Sequence, residues 1–304
     1  MRPNRFGKPF AVVLLLLLIC VFSPVRSADS GKKGSKVSDG DIRRPDHIVI
    51  IVEENKSYGQ IIANSIMSKT PAPYINSLAN EGALFTNSYG VTHPSQPNYL
   101  ALFSGLTHGV TDDRCPLSLS GNNLAIELRK RGFSFAIYSE SMPSVGFEGC
   151  YSAFNRYARK HNPVVNWQGR ELPREINLPF DAFPSDFNKL STVSLVIPNQ
   201  LNDMHDGAPS DAIAQGDQWL KERIDPFVRW AHSHNSLLIV TWDEDDGSAN
   251  NHIATIFVGP MVHPGRYGNR IDHYNVLRTI TEMYGLATLG NSATSKPILD
   301  VWKR

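Results

Sequence analysis

Five apolar runs rich in β-branched residues punctuate the chain, at residues 47–52 (HIVIIV), 133–138, 193–197, 237–242 and 253–258. Such runs, without polar alternation, mark strands buried on both faces. Between them, apolar positions recur at helical spacing over 74–81, 97–103, 123–131, 211–230 and 273–284. Start signals support these helices: Asp272 precedes the last, and Pro209, Ser210 and Asp211 open the longest. Strands that alternate with helices predict an α/β fold, a three-layer sandwich with a mostly parallel central sheet and helices on both faces.

Sheets of this kind bind ligands at the carboxyl ends of their strands, so the polar residues just past each apolar run are the informative ones. Glu54 and Asn55 follow the first run, PNQLNDMHD (198–206) follows the third, and WDEDDG (242–247) closes the fourth. Glu54, Asn55, Asp243 and Glu244 together would form a strongly negative, oxygen-rich site. Like charges held that closely are costly without a cation, which points to a bound divalent metal. Taken one pair at a time, the same acids read more simply as solvated loop ends or helix caps, and it is the coincidence of the two pairs that favours the metal.

The first 28 residues change the picture of where the protein works. Arg2, Arg5 and Lys8 precede an apolar run over 11–22 and the small residues Ser27 and Ala28. This is the pattern of a cleaved secretory leader, too short for a membrane span. Residues 29–40, rich in Ser, Gly, Lys and Asp, read as a disordered tether. Residues 41–304 read as one domain, exported to the periplasm or the medium. In such a compartment Cys115 and Cys150, the two cysteines outside the leader, are expected to form a disulfide. A net charge of +1 gives no basic surface for a nucleic-acid partner.

Ser95 lies between Pro94 and Pro97 at the predicted start of the 97–103 helix. There a hydroxyl meets free backbone N–H groups and the positive end of the helix dipole, an environment that also suits a phosphate. On local grounds alone, a cap residue is the simpler reading of Ser95, since prolines and a helix start already account for it.

Five ordered segments decide between these readings by resemblance. IVIIVEENKSY (48–58), THPSQPNYLALFSG (92–105), NDMHD (202–206), TWDEDDGSANNH (241–252) and DHYNVLRTITEMYGL (272–286) resemble the phosphoesterase family of bacterial acid phosphatases and phospholipases C. That family is part of the alkaline phosphatase superfamily. The resemblance implies that Glu54, Asn55, Asp243, Glu244 and Ser95 hold one divalent ion; where the family often has glycines this sequence has Asp245 and Asp246, either of which offers an alternative ligand. It implies further that Ser95 attacks phosphorus and forms a phosphoseryl intermediate. Oxygen ligands favour Mg, Mn or Ca, whereas the superfamily often uses Zn. A second ion near Asp203 or Asp206 is an open alternative.

Asn98, one helical turn after Ser95, is expected to donate to a phosphate oxygen, and His205 to protonate the leaving group. His252 and Asp206 are further candidates for substrate contact, and His93 adjoins the nucleophile. His108 reads as structural, and His47, His161, His232, His234 and His263 read as surface or packing residues. The aromatics of 143–184 form either a lid over an organic leaving group or plain core. The expected substrates are small phosphomonoesters. The alternatives are phospholipid head groups cleaved as phosphodiesters, or phosphate compounds held without turnover.

Overall fold

The computed structural model describes residues 42–62 and 71–303. The expected leader and tether lie outside the described residues. A nine-stranded sheet forms the middle layer, with eight strands in the order β4-β3-β5-β1-β6-β7-β2-β8 and β9 paired to β2. In chain order the elements are β1 (His47–Glu53), α1 (Tyr58–Ile61), α2 (Pro73–Glu81), β2 (Ala83–Tyr89), α3 (Ser95–Ser104), α4 (Leu124–Lys130), β3 (Phe135–Ser139), β4 (Asn177–Pro179) and β5 (Val193–Ile197). There follow α5 (Pro209–Arg223), α6 (Asp225–Ala231), β6 (Ser236–Trp242), β7 (His252–Val258), β8 (Gly265–Tyr267), β9 (Ile271–Asp272) and α7 (His273–Met283).

The side-chain period of two divides each central strand between two cores. Ile48, Ile50 and Val52 of β1 join Leu237 and Ile239 of β6 on one face, under α3, α4 and α7. Val49 and Ile51 join Leu238, Val240 and Trp242 on the other, under α1, α2, α5 and α6. The alternation carries past the strand ends. Glu54 and Asp243 therefore continue the face that packs against α3, and Glu53 turns to the opposite one. Both oxygens of the fully buried Glu53 lack a hydrogen-bond partner among the described residues. Burial pushes its pKa well above the usual carboxylate range.

The expected α/β sandwich is thus observed, with three differences from the pattern reading. Ala83–Tyr89 is a strand although its second half, Thr-Asn-Ser-Tyr, is polar, and its pairing with β7 shifts register between Phe85 and Ser88. β7 runs antiparallel to both β6 and β2, so the sheet is parallel through its centre and mixed towards one side. The long 211–230 helix is two helices: Pro226 stands in the first turn of α6, where its missing N–H costs nothing, and the chain turns at Ile224.

α3 is buried on every side, all ten residues included. It ends at Gly105, whose φ of 75° is left-handed, and a Cβ there would stand 2.1 Å from the carbonyl oxygen of Leu289. Cys115 and Cys150 are joined in a disulfide. Among the described residues, no helix is long and apolar enough to cross a membrane.

Candidate active site

The strands whose ends carry the acids, β5, β1 and β6, are neighbours in the sheet, so their polar sequels meet. Two backbone bonds fasten them: the Glu54 N–H donates to the Asp203 carbonyl at 2.8 Å, and the Asp243 N–H to that of Glu53 at 3.0 Å. Asn55 has a left-handed φ of 52°, and its N–H donates to Asp243 Oδ1 at 3.3 Å.

Ser95 is the first residue of α3, after the N-cap Pro94, and its hydroxyl turns to two carboxylates. Its Oγ lies 3.1 Å from Glu54 Oε2 and 3.2 Å from Glu244 Oε1. A hydroxyl has one proton, so it cannot donate to both carboxylates at once. A protonated carboxyl or a cation is needed to reconcile the three oxygens.

The remaining contacts divide chemistry from scaffolding. Tyr99, one turn along α3, donates its hydroxyl to Glu54 Oε1 at 2.5 Å. The Asn98 side-chain oxygen accepts from the N–H groups of Val91 and Thr92. Its amide donates to the carbonyls of Thr92 and Pro94, and to Glu244 Oε2 at 3.3 Å. Asn98 therefore shapes the turn that presents Ser95 while touching one of the acids. His93 faces Glu244 Oε2 at 2.8 Å and Asp245 Oδ1 at 3.3 Å. Asp245 also accepts the N–H groups of Gly247, Ala249 and Asn251, and Asp246 bonds Gln60 and Ser248. These two acids fold their own loop, whereas Asp243 and Glu244 face Asn55 and Ser95.

A second set of groups closes the site from the irregular connections. His161, 1% exposed, stacks on Tyr99 and faces Glu54 Oε1 at 3.2 Å and Asp203 Oδ2 at 3.5 Å. Neither contact is aligned as a hydrogen bond, which leaves His161 Nε2 and Asp203 Oδ2 buried without one. Lys160 Nζ pairs with Asp113 Oδ2 at 3.0 Å and lies 3.4 Å from His205 Nε2. The other ring nitrogen of His205 meets Asp206 Oδ1 at 2.9 Å. Asp113 in turn accepts the Gln96 N–H.

His161, read from sequence as a packing residue, thus belongs to this group, and Lys160 and Asp113 went unread beside it. The available signal was composition: residues 149–170 contain Arg156, Arg159, Lys160 and Arg170 and no acid. His252 stands elsewhere, stacked between Tyr58 and Tyr89 with Nε2 against the Thr86 carbonyl. His273 is buried beside the acids, with Nε2 at 2.7 Å from the Asp243 carbonyl. His108 meets the Ser104 hydroxyl and the edge of Trp167.

Burial raises the pKa of Glu54, and raises Asp243 and Asp203 well above the usual range, with neighbouring Glu54 adding to the last two. Glu244 is pushed up to about 8 by burial and by Glu54. Burial opposes the charge of Lys160, but Glu54 and Asp113 more than offset this and raise its pKa. His161 is held well below its ordinary value by burial, then by Lys160 and His205, and is therefore neutral and free to ligate. Asp243 Oδ2 is buried without a hydrogen bond. Crowded carboxylates, an unprotonated imidazole and partnerless buried oxygens form a donor set that fits a divalent cation. Glu54, His161 and Asp203 alone offer three ligand atoms within 4.8 Å of one another and can hold a metal ion.

The model of the phosphoesterase family matches residues 63–287, and thus takes in Ser95, the 202–206 segment and the 243–244 acids. The chain is similar to the phosphatidylinositol-3-phosphatase of Mycobacterium tuberculosis, 48% identical over 259 residues that cover 84% of this chain and 82% of that one. It is similar to an acid phosphatase of Aspergillus fumigatus at 32% identity over 244 residues, 74% of this chain and 53% of that protein. In fold it matches an alkaline phosphatase superfamily protein from Vibrio parahaemolyticus with a TM-score of 0.58 at 14% identity, covering 85% of this chain and 72% of the other. The chain belongs to the phosphoesterase family and is a hydrolase of phosphoric ester bonds.

Proposed function

We propose that the protein is an exported, metal-dependent acid phosphatase that hydrolyses phosphomonoesters through a phosphoseryl intermediate on Ser95. The observation that supports this best is the Ser95 hydroxyl, at the start of a buried helix and within 3.2 Å of carboxylates from two adjacent strand ends. Ser95 Oγ gives its proton to Glu54 or Glu244 and attacks phosphorus, the ester P–O bond breaks on the opposite side, and that proton returns to Oγ when the phosphoserine is hydrolysed. His205, held by Asp206, gives its proton to the departing oxygen and then takes one from the water that hydrolyses the phosphoserine. Lys160 lies beside His205 and attracts phosphoryl oxygens. A divalent ion held by Glu54, Asn55, Ser95, Asp243 and Glu244 would lower the serine pKa and neutralise charge on the phosphoryl group. The trio of Glu54, His161 and Asp203 supports a second ion or a shared one.

The similarity to a phosphatidylinositol-3-phosphatase makes lipid-borne monoesters, as well as small soluble ones, substrates to assay. Export is supported by the disulfide and by the leader-like composition of the first residues. Purified protein should release phosphate from an aryl phosphate, lose that activity to a chelator and regain it with added Mn, Mg, Ca or Zn. Acid quenching during turnover should trap phosphate covalently on Ser95. Chelator-resistant turnover, or phosphate trapped on another residue, would refute this mechanism.

A further inference from the structure

The connection between β3 and β4 carries the most exposed large apolar side chain among the described residues, Phe154, at 90% exposure. Phe154 and Asn155 both have left-handed φ values, 57° and 53°, which a bulky aromatic residue rarely adopts. They form the tip of a short hairpin closed by the Tyr151–Ala158 bridge, and Tyr151 is itself 49% exposed. The underside of the hairpin is fixed. Tyr157 is buried against Phe147, Cys150 is bonded to Cys115, and the Arg159 N–H donates to the Cys150 carbonyl. Gln200 holds the tip twice, donating its backbone N–H to the Arg156 carbonyl at 2.9 Å and its side-chain amide to the Asn155 carbonyl at 2.6 Å.

Such a tip is rigidly held yet buries nothing within its own chain, so its apolar surface is available to something outside it. The hairpin adjoins the candidate active site on both sides. The Gln200 carbonyl accepts the Asp206 N–H, next to His205, and the strand leaving the hairpin runs directly into Lys160 and His161. Within residues 149–158 the one charged side chain is Arg156, and Glu148 just before them pairs with Arg174. Arg156 makes no ion pair among the described residues. Exposed aromatics beside an unpaired cation suit the boundary of an anionic lipid layer, where rings enter the headgroup region and a cation meets phosphates.

We infer that the hairpin around Phe154 and Tyr151 seats the protein on an anionic lipid surface, so that the site beside it reaches phosphomonoesters carried by membrane lipids. This rests on the phosphatase reading and narrows its substrate class. The test uses the full mature protein and the double variant Phe154→Ser, Tyr151→Ser. Sedimentation is measured with phosphatidylcholine vesicles, with and without phosphatidylserine, and hydrolysis with vesicle-borne phosphatidic acid and with a soluble aryl phosphate. Wild-type protein should sediment with the anionic vesicles, and the variant should bind them about tenfold more weakly or worse. The variant should lose vesicle-borne turnover by a similar factor while its aryl phosphate rate stays within about twofold.

Equal loss on both substrates, unchanged vesicle binding, or a wild type that ignores anionic vesicles would each overturn the inference. So would a wild-type dimer that the variant converts to monomer, since the hairpin would then be a self-association surface. A protein that sediments with vesicles but hydrolyses neither ester would sink the phosphatase reading and leave the lipid contact standing.

Discussion

The candidate site has two halves built in different ways. One half stands on regular structure: Glu54 at the end of β1, Asp243 and Glu244 at the end of β6, and Ser95 at the first turn of α3. The other half, Asp113, Lys160, His161 and His205, comes from turns and short 3-10 segments tied by one disulfide. The first half is nearly all acid and the second supplies the cations and imidazoles. Strands whose register is fixed by two buried cores can hold mutually repelling carboxylates in place, whereas the loops bring the counter-charges that neutralise them.

Removing one group from each half should give the largest effects. Ser95→Ala should reduce turnover by about ten-thousandfold or more, with the melting temperature retained. His161→Ala, in the loop half, should lower kcat/KM by about a hundredfold and weaken retention of the metal, measured by titration with a chelator. Rates within a factor of about three for His161→Ala would mean that the ring only fills space beside Tyr99.

Smaller effects should separate stability from chemistry. Replacing Cys115 and Cys150 by serine opens a link between residues 35 apart in sequence and should cost about 2–4 kcal/mol of stability, measured by denaturant unfolding. Activity should then fall before global unfolding, because Asp113 and Lys160 sit next to the link. Retained activity up to the unfolding midpoint would show the loop half to be as firmly held as the strand half.

The pH dependence of the metal-free protein gives the finest test. Glu54, Asp203, Asp243 and Glu244 all have raised pKa values in the fold. The folded state therefore binds protons more tightly than the unfolded chain, and stability is lost as pH rises through the folded values. His161, with a depressed value, loses stability instead below about 6.5, so it does not interfere above that pH. With chelator present, the melting temperature should fall between pH 6.5 and 8, the value to which Glu244 is raised. Added divalent ion should flatten the slope. A melting temperature that rises over this window would mean that the acids are not mutually destabilising.

The two halves also differed in how far the sequence revealed them. Glu54, Asn55, Asp243 and Glu244 were legible because an apolar run ends just before each pair, and the end of a buried strand is a fixed place in this architecture. Ser95 needed the prolines and the order of the five segments. His161 and Lys160 follow no apolar period, because short 3-10 turns impose none, and they reach the site only through tertiary packing. The same physics hid β2, whose polar second half alternates too weakly to announce a strand, and the break between α5 and α6, which one proline makes inside a continuous helical pattern.

α3 has no outer face. Helices such as α2 and α5 alternate buried and exposed positions, so a map of tolerated substitutions along them should rise and fall every three to four residues. Along α3 that rhythm should vanish into an unbroken ten-residue block of intolerance, from Ser95 to Ser104. Random drift has no harmless position there to occupy, which would keep the setting of Ser95 intact while the surface around it diverges.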